Sequence, residues 1–198
     1  MDEVETRQRV LAAADQLFND RGVQAVGMDS IRDAAGVPLK RLYREFPSKA
    51  DLVEAVLRRR DGEVRNAIAE FVEARASEPR LRILAVFDFL YQWFSAPDFR
   101  GCMFINTAGE LGGTYDDIAQ IARDHKLAIR TYLAGLVQAA ELPAALADQL
   151  LILANGAMVT AAIHRCPQPA RVARDAAEAL LSRSSPTSSG VAIERPDS

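Results

Sequence analysis

At 198 residues, 49% hydrophobic and 26% charged, the chain is long enough for one or two small domains with a real core, and too apolar to stay unfolded. No apolar run is expected to reach the ~18 residues that span a bilayer, because the longest candidate, Leu81 to Phe94, carries Arg82, Asp88 and Gln92. The net charge of −3 is unevenly spread: residues 1–60 hold 11 Lys/Arg against 10 Asp/Glu and residues 61–198 hold 13 against 17, while residues 38–60 alone hold 7 against 3.

Helical periodicity runs through the whole sequence, and alternating β-branched stretches are missing, so the chain is expected to be all-α. A first helix is expected from about Glu3 to Asn19, with Val10, Leu11, Ala14, Leu17 and Phe18 as its apolar stripe, ended at Gly22. Met28 to Ala35 and Leu39 to Glu45 read as two short helices separated by Gly36-Val37-Pro38. Ser48 is a good N-cap for a long fourth helix from about Lys49 to Ala76, with Asp51 in its first turn. Pro79 then breaks the chain.

The second half is expected to hold five more helices. The first, about Arg80 to Ser95, is rich in aromatic residues; a shorter one covers about Cys102 to Leu111 and stops at Gly112-Gly113. A long amphipathic helix covers Asp116 to Glu141, another runs from Pro143 to about Arg165, and the last spans Ala170 to Arg183. Residues 184–198, rich in Ser and Pro, read as a disordered tail.

Two short helices around a glycine turn form a helix-turn-helix. Gly36 supplies the positive φ that a sharp reversal needs, and the small Ala34 and Ala35 allow close helix approach. Ile31, Val37, Leu42 and Phe46 are apolar plugs for a core shared with Leu17 and Phe18. That leaves Pro38, Leu39, Lys40, Arg41, Tyr43 and Arg44 for the outer face. Cations there can read guanine edges in a major groove or hold phosphates, and Tyr43 can donate to a phosphate. Lys49 begins a helix whose free N–H groups suit the same anion. A solvated helix face would give the same charge count.

The stretch GMDSIRDAAGVPLKRLYREFPSKADLVEAVL resembles the DNA-binding domain of the TetR family of bacterial transcriptional regulators, over roughly residues 5–60. The specific positions are Ile31, Ala35-Gly36-Val37, Leu42-Tyr43, Phe46, Ser48-Lys49 and Leu52. The resemblance implies an all-α homodimer, with an N-terminal helix-turn-helix domain (residues 1–48) and a larger helical ligand-binding and dimerisation domain (residues 49–183). The fourth helix joins the two. The family's members are mostly repressors that leave operator DNA when a small-molecule effector binds. The resemblance places Tyr43 and Lys49 on phosphates, and Lys40, Arg41 and Arg44 on bases or phosphates. The sequence departs from the family's pattern at Gly27, where Thr is usual, so a phosphate contact common in relatives is either missing or taken by Ser30; Arg32 is a further possible contact.

In the second half the helix containing LLILANGAMVTAA is apolar around most of its circumference and should be buried on more than one side. The resemblance implies a four-helix bundle across a dimer, built from the last two helices. Ala154, Ala157 and Ala161 on one, and Ala173, Ala176 and Leu180 on the other, are the expected contacts; an intrachain core explains the same pattern. A ligand pocket is expected between the aromatic fifth helix and the Asp116 to Glu141 helix. Its apolar candidates are Phe71, Phe87, Tyr91, Phe94, Met103, Phe104, Ile129 and Tyr132, any of which can equally be core. Asn106, Thr107, Glu110 and His125 are polar groups that can orient a ligand.

Other classes fit less well. No nucleophile–base pair, phosphate loop or metal-spaced cluster points to an enzyme. Cys102 and Cys166, far apart, and His125 and His164 give neither a disulfide framework nor a metal site, and no cofactor is expected. The polar start MDEVETRQRV is unlike a signal peptide, so the expectation is a cytoplasmic protein without a membrane partner. An activator, a regulator without an effector and a helical interaction module remain alternatives. The expected partners are double-stranded operator DNA, a second copy of the chain and an unknown small molecule.

Overall fold

The computed structural model describes residues 2–184; most of the expected tail lies outside the described residues. Nine helices and no strand occur among them. Helix α1 (Glu3–Arg21) is started by Asp2, whose carboxylate accepts the Glu5 amide at 2.7 Å. It buries Thr6, Val10, Ala14 and Phe18, one residue per turn, against α2 (Met28–Ala35) and α3 (Leu39–Glu45). Ile31 and Leu42 are fully enclosed there, with Val37 and Phe46 beside them. Of the two alanines expected at the α2–α3 approach, Ala35 is buried and Ala34 faces solvent.

Gly36 makes the turn with φ 64° and ψ 37°, a left-handed conformation that an L side chain adopts only at a cost. Its amide and that of Val37 close α2 onto the Asp33 and Arg32 carbonyls. Gly27 caps α2 without a side-chain bond, as its lack of an oxygen dictates. Helix α4 (Lys49–Arg75) is opened by a capping box: Asp51 N–H donates to Ser48 Oγ, and Ser48 N–H donates back to the Asp51 carboxylate.

The remaining helices are α5 (Pro79–Phe94), α6 (Met103–Leu111), α7 (Asp116–Ala139), α8 (Leu146–His164) and α9 (Gln168–Arg183). Helix α8 starts three residues later than expected, because Pro143 to Ala145 form a turn, and α9 starts two residues earlier. Helix α5 lies in the middle, packed on α9, α4, α7 and α8. Arg174 of α9 pairs with Asp88 of α5 at 3.1 Å, and the Arg171 guanidinium lies 4.2 Å over the Tyr91 ring.

Contrary to the sequence expectation, one helix is long and apolar enough to cross a membrane by length and composition. It is α8, with 19 residues and mean hydropathy 1.5. One side of α8 packs against α9, α7 and α5. The other side is apolar but uncovered: Ile152 is 70% exposed and Ile163 72%, and Val172 of α9 beside them is 63% exposed.

Candidate DNA-reading surface and ligand cavity

The α2–α3 pair presents a single outward face. Ser30, Pro38, Leu39, Lys40, Tyr43 and Arg44 are exposed, and Arg32 and Arg41 are half-buried. Burial of Leu42 and Phe46 on the opposite side of α3 fixes this orientation, since i and i+4 share a face. Arg7 of α1 stacks 4.6 Å over the Phe46 ring and steadies the α1 side of the head. Several cations already have partners: Arg32 pairs with Asp29 and Asp33, and Arg44 with Glu3 at 3.2 Å.

Lys49, expected on a phosphate from the start of α4, is half-buried. Its ammonium donates to the Gln24 carbonyl at 3.4 Å, in the seam between this head and α6. Burial lowers its pKa, with the Glu110 carboxylate opposing that shift. Glu110 itself is not in a ligand pocket. Its carboxylate accepts the Gln24 amide at 2.7 Å and its carbonyl accepts the Gln24 side chain at 2.6 Å. Gly22 leaves room for this contact: a Cβ there would stand 3.0 Å from the Glu110 carboxylate, at a φ of 80°. Two further bridges tie α1 to the larger domain. Arg60 of α4 pairs with Asp15 at 3.3 Å, and Asn19 donates to the Asp98 carbonyl at 2.9 Å.

An internal cavity of about 100 Å³ lies between α4, α5, α7 and α8, closed at one end by the Phe99 to Cys102 segment. Of the residues expected in a pocket, Met103, Phe104, His125 and Ile129 line it. The others go elsewhere. Phe71 stacks edge-on against Phe89, and Phe94 packs on Trp93 and Phe99 in the core. Phe87 and Thr107 are buried away from the cavity. Tyr91 lies under Arg171, and Asn106 donates to the Arg100 carbonyl. The Tyr132 hydroxyl is buried without a partner, and burial raises its pKa, opposed by nearby Arg82.

The cavity wall has residues that the sequence did not single out: Arg60, Val64, Phe99, Lys126 and Met158 among them. Lys126 had a signal, because it adjoins His125 on a helix whose His125, Ile129 and Leu133 all reach the cavity at i, i+4, i+8 spacing. Phe99 and Arg100 had none, since they belong to a segment without periodicity.

His125 Nδ1 lies 2.8 Å from Asp61 of α4, and its ring stacks on Phe104 at 3.6 Å and 4°. Burial lowers the imidazole pKa more than the Asp61 hydrogen bond raises it. Burial would raise the Asp61 pKa, but hydrogen bonds from His125 and Arg65 leave it lowered. A neutral imidazole beside an ionised carboxylate donates from Nδ1 and keeps Nε2 as an acceptor.

The expected dimer contacts divide. Ala154 and Ala161 face their own subunit, and Ala154 lines the ligand cavity. Ala173 is also buried within the subunit. The uncovered face instead carries Ile152, Gly156, Val159 and Ile163, one residue per turn of α8. Between it and Val172 of α9 runs a surface groove of about 750 Å³, with Ala157 and Ala176 on its wall. The i, i+4 pattern could have found this stripe, because α8 is apolar on both sides and its inner side is set by Leu146, Leu150 and Met158 together with the alanines.

Two family models match the chain. "Bacterial regulatory proteins, tetR family" matches residues 10–56, and "Tetracyclin repressor-like, C-terminal domain" matches residues 79–177. Among sequence relatives, the HTH-type transcriptional activator FasR of Mycolicibacterium smegmatis is 39% identical over 89 residues, covering 43% of this chain and 41% of FasR. The chain thus spans under half the length of the curated relatives it matches. Among solved structures, a TetR transcriptional regulator from Chloroflexus aurantiacus gives a TM-score of 0.79 at 27% identity, over 91% of this chain and 96% of that one. SCO4454, a TetR-family transcriptional regulator from Streptomyces coelicolor, gives 0.82 at 24% identity, over 92% and 97%, a likeness of fold.

Proposed function

The chain belongs to the TetR family of bacterial regulatory proteins, and from that premise we propose that it is a homodimeric repressor, released from operator DNA by a small molecule in its cavity. The observation that carries the DNA-binding part is the outward face of α3. Lys40, Tyr43 and Arg44 all stand on it beside the Gly36 turn, opposite the buried Leu42. Inserted into a major groove, this face offers bidentate cations to base edges and a phenol to phosphate. Arg44 must leave Glu3 to do so, an exchange of one exposed pair for another. Such a protein works in the cytoplasm, where the chromosome is, and no enzymatic step is part of the reading.

Dimerisation supports the reading through the uncovered apolar stripe of α8 and α9, which a second copy can cover about a two-fold axis. Two heads then meet half-sites one helical turn apart or a multiple of it. Release follows if the ligand prefers a conformation with mis-spaced heads. The Asp15–Arg60, Asn19–Asp98 and Gln24–Glu110 bridges are the routes for that strain, and Arg60 and Asp98 themselves line the cavity. FasR, aligned over part of its length, is described as an activator; the same binding mode gives either sign, depending on where the operator lies.

The test is fluorescence anisotropy with DNA flanking the coding region. Combined substitution of Lys40, Tyr43 and Arg44 with Ala, each change worth about 1–3 kcal/mol if it contacts a base edge, should abolish selective binding. Unchanged affinity in a folded triple variant would end the assignment. For the dimer, Ile152→Glu with Val172→Glu should give monomers at micromolar concentration in sedimentation; a folded, fully dimeric variant would contradict the placement.

A further inference from the structure

We propose that the cavity takes a small organic acid, with an apolar body against Trp93, Phe99 and Leu90 and its carboxylate on Lys126. This deepens the effector reading above and rests on it for its regulatory meaning. The wall is mostly apolar, yet three cations reach it: Arg60, Arg100 and Lys126. Arg60 is already matched by Asp15. Arg100 donates to the Pro97 and Phe99 carbonyls and is exposed at the mouth, as is Asp98, the one lining carboxylate.

Lys126 differs from both. It is half-buried, and its ammonium reaches the Asn155 amide oxygen at 2.8 Å and the Cys102 sulfur at 3.5 Å. No carboxylate pairs with it among the described residues. A cation withdrawn from water without an anionic partner is costly, and an entering carboxylate removes that cost while forming a charge-assisted hydrogen bond. Next to Lys126, neutral His125 offers no competing negative charge, because Asp61 is engaged on its Nδ1 side. A cationic ligand would meet Lys126 as a like charge, and an uncharged one would leave it unpaired. The site therefore sorts ligands by head group.

The probes are 4-nitrobenzoate, 4-nitrobenzyl alcohol and 4-nitrobenzylamine, which share one body and differ in charge. Affinity is measured on the full chain by calorimetry. Occupancy of this cavity is read by quenching of Trp93, the single tryptophan of the chain, which lies on the wall. The acid should bind about 10- to 100-fold more tightly than the alcohol, with the amine weakest. Lys126→Met should bring the acid down to the level of the alcohol, and Lys126→Arg should restore the preference. Alcohol or amine binding as tightly as the acid in the unmodified protein overturns the proposal, as does a preference that survives Lys126→Met. If the alcohol quenches Trp93 and lowers DNA affinity while the acid does not, the effector reading stands and the acid class falls. If the acid is preferred but DNA affinity is unchanged, the ligand class stands and effector release falls. Quenching by none of the three overturns both.

Discussion

The reading head and the cavity are built on opposite plans. In the head, every structural residue lies within one or two turns of its signal: Gly36 makes the turn, Leu42 and Phe46 set which side of α3 is buried, and the outward face follows. The cavity draws its wall from six helices and a connecting segment, with partners well over a hundred residues apart in sequence. The head is specified by local periodicity, and the cavity by how helices stack. The two are joined by α4, whose buried Leu52, Val53, Val56 and Leu57 continue the core of the head, and by side-chain bridges such as Gln24–Glu110 and Asp15–Arg60.

The sharpest way to break this contrast is to damage the head alone. Leu42→Ala removes a fully buried side chain from a small three-helix core and should cost about 2–5 kcal/mol. DNA binding should be lost, while Trp93 fluorescence and 4-nitrobenzoate affinity stay close to those of the unmodified protein. Loss of both together would show one cooperative core instead of two plans.

A pH titration probes the cavity side. Burial holds the His125 pKa below its ordinary value of 6.5. The unfolded chain therefore takes up the proton first, so the stability contribution is full above pH 6.5 and declines as pH falls through that value toward the lowered folded pKa. The Asp61 contribution begins to fall only near 3.8 and declines through its lowered folded pKa, outside that window. Thermal melts across the His125 window should show a falling Tm, and His125→Gln should flatten the curve. An equal slope in the variant would place the titration elsewhere.

The smallest effect concerns the seam. Glu110→Ala removes the acceptor of the Gln24 amide, a bond worth about 0.5–1.5 kcal/mol. Hydrogen exchange at that amide should quicken by about 2- to 10-fold, with exchange in the α3 core unchanged. No change at Gln24 would mean that α6 does not hold the head.

The same contrast explains what could be read before the structure. The turn, the outward face of α3 and all nine helices were legible, because each depends on neighbours in sequence. Of the expected cavity residues, Met103, Phe104, His125 and Ile129 reach it, whereas Tyr91 turns to α9 and Phe71 to Phe89. Aromatic richness marks α5 as central but does not say which neighbour each ring meets. Ala154 and Ala161 of α8 show a related effect: small residues mark close approach, and here their approach is within the subunit, whereas Ala157 reaches the uncovered groove. Glu110 was placed on ligand because its seam with Gln24 joins residues 86 apart and has no local trace.

The central claim is that cavity and head share one equilibrium. The most direct measurement titrates 4-nitrobenzoate, followed by Trp93 quenching, against the free protein and against the protein saturated with its operator DNA. Linkage requires the acid to weaken DNA binding and DNA to weaken acid binding by the same factor, about 5- to 150-fold for a coupling of this kind. The account predicts two equal, reciprocal factors in that range. Equal acid affinity with and without DNA would contradict it, even with the acid seated against Lys126.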